Sequence, residues 1–282
     1  MLVVIIIVLV VLLVKKQYGG DSSPSPSPDI LAHTPLPHTP GHVSPAPSTP
    51  KTDPEISNTP ETATPPSIGV YDYAKPVPQS AEVSKDSFSD AIFIGDSRME
   101  DFGFYSGLAG KSKFYTHVGL TVNHLIQIGE SKLTKFKIDG EDLTFEEAIR
   151  KNNDFSRVYI MLGYNELGWP YIDTFIKYYV DVINMIKSVQ PKAEIYVECI
   201  IPVAREISGS GVDPETENNE NIAIFNQAIQ KMCEENKYYW LNVQEVLVDS
   251  EGYLPEGSAS DGIHLKKEYC LVWYEYIATH VV

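Results

Sequence analysis

Ala91-Ile92-Phe93-Ile94-Gly95-Asp96-Ser97 is the stretch that decides how this chain reads. Four apolar residues without alternation suit a strand covered on both faces, as in a parallel sheet. The run breaks at Gly95, which permits a tight turn, and then presents a hydroxyl. With a helix beginning there, Ser97 stands at the carboxyl end of a strand and the positive end of a helix dipole. Ligands of open α/β sheets gather at such places.

Outward from this stretch the pattern repeats. Apolar runs predict strands at 90–94, 114–118, 158–162, 194–201 and 239–243. Helical stretches fall at 98–108, 121–130, 144–151, 171–189, 219–236 and 266–281. The clearest is 171–189, where Phe175, Val182, Ile186 and Val189 share one side and Gln190-Pro191 ends the helix. Strand followed by helix, repeated, predicts a parallel sheet of about five strands between two helical layers.

The amino-terminal third is different. Residues 2–14 are all Leu, Val or Ile and are followed by Lys15-Lys16, while 21–80 hold fifteen of the twenty prolines. Thirteen apolar residues fall short of the ~20 of a membrane-spanning helix and come nearer to a signal-peptide core. The reading is a membrane anchor or signal segment over 1–20, exported and uncleaved, with a basic leader upstream of Met1. A Pro/Ser/Thr-rich stalk over 21–84 is too poor in apolar side chains to fold and serves as an extended spacer. His33, His38 and His42 lie in this stalk, where no scaffold orients them toward a metal. The folded domain is 85–282, and its expected location is outside the cytoplasm, tethered to the cell membrane.

Charge and sulfur limit the partners. From residue 81 onward 18 Lys and Arg stand against 32 Asp and Glu, a net of −14, which argues against nucleic acid as a ligand. Cys199, Cys233 and Cys270 are an odd number at wide spacings in apolar stretches, so they read as core residues.

A serine needs a base to become a nucleophile near neutral pH. His264 is the favoured histidine, because Asp261-Gly262-Ile263-His264 spaces a carboxylate to reach the ring within one turn. Each phrase also has a plainer use: Ser97 as a helix N-cap, Asp261 as the cap of the last helix. Two further positions tip the balance. Asn165, in Gly163-Tyr164-Asn165-Glu166 after the 158–162 strand, and the backbone of Gly119, after the second strand, can donate to an oxyanion. The Gly-x-Ser-x-Gly elbow of commoner esterases does not occur.

In these four phrases the chain resembles the SGNH or GDSL-like esterases and acylhydrolases, over about 90–282. The resemblance implies a flavodoxin-like three-layer α/β/α sandwich, with Ser97 as nucleophile, His264 as base and Asp261 as its orienting acid. It implies an oxyanion hole of the Ser97 and Gly119 amides and the Asn165 side chain, and no metal or organic cofactor. Arg98 stands where the family name has leucine, and Glu166 where aspartate is commoner. Both lie where substrate would bind; they are expected to pair with each other, although Arg98 could instead meet a substrate carboxylate. Tyr164, Trp169 and Tyr171 cluster near Asn165 either as sugar-stacking rings or as lids on the core. The expected substrate is an O-acylated, above all O-acetylated, carbohydrate of the cell envelope. Lipid or lysophospholipid hydrolysis and glycan O-acetyl transfer are the enzymatic alternatives, and a silent glycan-binding module is the alternative of another class.

Overall fold

A computed structural model describes residues 71–210 and 215–282. The proposed anchor, and the stalk up to residue 70, lie outside the described residues. The chain runs through β1 (Ala91–Gly95), α1 (Ser97–Ser106), β2 (Lys113–Thr116), α2 (Val122–Leu125), β3 (Lys135–Ile138), β4 (Glu141–Thr144) and α3 (Phe145–Lys151). It continues through β5 (Arg157–Met161), α4 (Ile172–Val189), β6 (Glu194–Glu198), α5 (Asn219–Asn236), β7 (Tyr239–Leu241) and α6 (Lys267–Ala278).

Five strands form a parallel sheet in the order β2-β1-β5-β6-β7. The order reverses between β1 and β5: the chain leaves β1 toward one edge and returns to build the other. Ligands bind at the carboxyl ends beside such a switch point. Helix α1 packs with α6, while α4 packs with α2, α3 and α5, giving the expected three layers.

One row of side chains accounts for much of the sheet's register. Phe114, Phe93, Tyr159, Tyr196 and Tyr239 occupy paired positions on all five strands. Their rings follow one another at 4.8, 4.8, 4.8 and 4.9 Å. That distance is the strand spacing itself, so cross-strand stacking and backbone pairing enforce the same alignment. Phe102 of α1 covers Phe93 and meets Trp273 of α6 at 4.5 Å, closing this face. All three cysteines are buried, as the apolar context predicted.

The structure corrects the sequence reading in three places. The stalk does not extend to residue 84. Val77 is buried and its N–H donates to Trp240 O, while Ser80 and Val83 donate to Thr279 O and Ala278 O. Residues 71–84 are thus a strap on the folded domain, held by backbone bonds that proline content does not reveal. The helix expected over 121–130 is only α2, because Ile126 is already extended. Finally, β3 and β4 form an antiparallel hairpin that was not foreseen. Asp139 and Gly140 turn it with φ of 51° and 87°, the left-handed pair of an Asp-Gly hairpin turn.

Phe93→Ala empties the second position of the aromatic row and should cost about 3–5 kcal/mol. Urea unfolding checks this, with the loss appearing as a lower midpoint at unchanged slope.

Candidate active site

The site starts from a close approach of backbones. A Cβ on Gly95 would lie 2.5 Å from Met99 Cβ and 2.9 Å from Met161 O, so β1, α1 and β5 meet this tightly only around glycine. Asp96 then caps α1, its Oδ1 accepting from Arg98 N at 3.0 Å. Ser97 is the first residue of the helix, not its cap. Its N–H belongs to the unpaired amides of a helix start and adds to the positive potential there.

His264 approaches from the loop before α6. Asp261 Oδ1 accepts the N–H groups of Ile263 and His264 at 3.0 and 2.8 Å, and Gly262 turns between them at φ 82°. Asp261 Oδ2 lies 2.7 Å from His264 Nδ1, and His264 Nε2 lies 2.8 Å from Ser97 Oγ. With Nδ1 donating to the carboxylate, Nε2 is left to accept the serine hydroxyl. Burial works to raise the Asp261 pKa, but the bonds from His264 and Ile263 outweigh it and hold the carboxyl below its ordinary value. Asp261 does not cap α6, whose N-cap position is Lys266. Both plainer uses of the two phrases therefore give way to one hydroxyl–imidazole–carboxylate chain.

Gly119 lies in the turn after β2 at φ 70°, and its N–H has no acceptor among the described residues. Asn165 sits in the single turn Tyr164–Glu166 after β5. Its Nδ2 donates to Asp96 Oδ2 and to Leu120 O, both at 3.2 Å. The amide thus ties together the loops that follow β1, β2 and β5. Both hydrogens of the amide are thereby engaged, so it receives a further acceptor by giving up one of these 3.2 Å bonds.

The residues expected to meet substrate fare differently. Arg98 is 2% exposed and Glu166 is fully buried, so neither forms the substrate-contacting surface the sequence suggested. Nor do they pair with each other. Arg98 Nη2 lies 3.6 Å from Asp96 Oδ2 and Nη1 donates to Ile201 O, whereas Glu166 Oε1 accepts from Val122 N at 2.8 Å. One face of Tyr164 is taken by the Arg98 guanidinium at 4.5 Å, and Trp169 packs edge-on against Tyr178. Tyr171, by contrast, is 71% exposed. Sequence reasoning passed over Asp96, whose partners are distant in the chain and whose place inside Gly-Asp-Ser carried no separate signal. Among the described residues no group of three or more His, Cys, Asp or Glu side chains is placed to hold a metal ion.

Burial raises the Glu166 carboxyl from 4.5 to about 8; the Val122 N–H opposes the shift and the Asp96 charge adds to it. Burial raises Glu198 likewise to about 8, against the bond from Trp273 Nε1. Over that interval the folded state holds protons that the unfolded chain releases, so stability falls as pH rises from 4.5 toward about 8. Glu166→Gln should flatten the decline in melting temperature across this range. An unchanged slope would mean that Glu166 is ionised in the fold.

The GDSL-like Lipase/Acylhydrolase family model matches residues 93–268, well over half of the chain. Among solved structures, a GDSL-like lipase from Bacteroides thetaiotaomicron is 16% identical, with 70% of this chain and 89% of that chain covered at a TM-score of 0.50. A Bacteroides fragilis protein described as an acylhydrolase is 15% identical, with 71% and 88% covered at a TM-score of 0.51. At such identities these likenesses speak for the fold. No curated protein matches the sequence. Residues 93–268 span β1 to the start of α6 and hold Ser97, Gly119, Asn165, Asp261 and His264, and the chain belongs to the GDSL-like lipase/acylhydrolase family, a family of carboxylic ester hydrolases.

Proposed function

We propose that the domain is a serine esterase that removes short O-acyl groups, chiefly O-acetyl, from carbohydrate outside the cytoplasm. The observation that carries the reading is the unbroken chain from Ser97 Oγ through His264 to Asp261, at 2.8 and 2.7 Å. His264 Nε2 takes the serine proton as Oγ attacks the ester carbonyl, and Asp261 stabilises the imidazolium that results. The carbonyl oxygen becomes negative and is received by the Ser97 and Gly119 N–H groups and the Asn165 amide. Collapse of the tetrahedral adduct expels the alcohol, which takes its proton from His264. Water activated by the same imidazole then releases the acid and restores Ser97. A sugar hydroxyl in place of water would make the second step a transfer.

Two features favour a small acyl group on a glycan. The His264 and Asp261 side chains are 32% and 53% exposed, so the reacting ester has open space on this flank for a bulky polymer. The exposed ring of Tyr171, downstream of Asn165, is free to stack on a sugar face. The apolar run at 2–14 and the proline-rich stretch after it support a tethered, extracytoplasmic placement.

Ser97→Ala should abolish hydrolysis of nitrophenyl acetate with an unchanged melting temperature. The wild-type protein should prefer acetyl over long-chain esters and release acetate from acetylated xylan or acetylated peptidoglycan. Activity retained in Ser97→Ala removes the serine mechanism. A preference for long chains moves the substrate to lipid, and no release from any ester points to a glycan-binding module.

A further inference from the structure

Packing alone gives a poor account of Arg98. It is 2% exposed, and a buried guanidinium is costly unless paired and fully hydrogen-bonded. Here Nη1 donates to Ile201 O at 2.8 Å, but Nε and Nη2 make no hydrogen bond among the described residues. Nη2 has only the 3.6 Å approach to Asp96 Oδ2. Apolar residues often replace such a buried pair without loss of stability. A reason for the arginine must therefore be sought in what it touches.

Its contacts converge on the turn that carries Asn165. The Tyr164 ring lies on the guanidinium at 4.5 Å. Asn165 Nδ2 donates to Asp96 Oδ2, the same oxygen that faces Arg98 Nη2. Glu166 is fixed separately on Val122 N. Each residue of Tyr164-Asn165-Glu166 thus has its own anchor, and Arg98 serves two of the three, one by stacking and one through Asp96. Asp96 itself is 1% exposed, and Arg98 is the cation beside it.

We propose that Arg98 is a positioning residue: by fixing Asp96 and the Tyr164 ring it sets the rotamer of Asn165, so that the amide faces the developing oxyanion, a role that rests on the serine-esterase reading above. A planar fork that stacks and pairs at once suits this task, and lysine reproduces only the charge.

The test compares Arg98→Met, which keeps length and burial without charge, with Arg98→Lys. Arg98→Met should lower kcat for nitrophenyl acetate about 10- to 100-fold, less than outright loss of an oxyanion donor. KM should stay within about twofold, because the interaction matters only in the transition state. Arg98→Lys should recover part of the lost kcat. A second readout needs no turnover: the nitrogen-15 side-chain amide signals of Asn165, identified by their loss in Asn165→Ala. These should shift in Arg98→Met and move back toward wild type in Arg98→Lys. If the wild-type protein cleaves no ester, the esterase reading fails and the amide signals still decide the positioning. Unchanged Asn165 signals in Arg98→Met, or a raised KM with kcat intact, overturn the proposal. Should Arg98→Met not fold, Arg98→Lys carries the test: a partial loss of kcat with displaced Asn165 signals supports the proposal, and wild-type values in both overturn it.

Discussion

The arrangement of the site depends on one carboxylate, that of Asp96. Its Oδ1 closes the first turn of α1, which fixes where Ser97 begins. Its Oδ2 receives the Asn165 amide and faces the Arg98 guanidinium, so the loop after β5 is referred to the same point as Ser97. Leu120 O, accepting the other amide hydrogen, brings in the loop after β2. Catalysis by charge stabilisation requires donors aimed before the charge appears. In the proposed esterase a single buried acid, with partners on both sides of the switch point, supplies that alignment.

Around it the fold accepts unfavourable burial. Glu166 and Glu198 lie at the carboxyl-end side of the sheet, each bonded through one oxygen while the other has no hydrogen-bond partner among the described residues. Such groups are cheapest as neutral acids, and each is held near the protonated form well above the usual carboxylate range. The aromatic row is the counterweight. Five rings in register, with Phe102 of α1 against Phe93 and the strap's Tyr71 and Tyr73 against Tyr239, bind the strands that carry the loops. Rigidity comes from the middle of the sheet and chemistry from its edge.

Much of this was legible in the chain. The apolar run at Ala91–Ile94 and the break at Gly95 gave the strand and the turn, because burial on both faces leaves an unalternating signature. Asp261 and His264 were legible because their pairing is local, three residues apart. What escaped was set by long-range contact. Arg98 and Glu166 looked like surface partners at the strand ends, yet their mates are Asp96, Ile201 and Val122. The strap at 71–84 read as spacer because backbone bonds to Trp240, Ala278 and Thr279 leave no mark on composition. The Asp139-Gly140 turn did carry a local signal, but its flanking strands, Lys135–Ile138 and Glu141–Thr144, lack the apolar runs by which the other strands were read.

That strap also has a mechanical meaning. Pro76 and Val77 lie along β7, the outermost strand, and Val77, Ser80 and Val83 are bonded in succession to the closing segments of the chain. Tension on the polypeptide before Tyr71 must break these three bonds in turn before it can pull on β1. The edge that carries Ser97 is thereby shielded from any load applied through the residues before the strap, as a cleat takes the load off a knot.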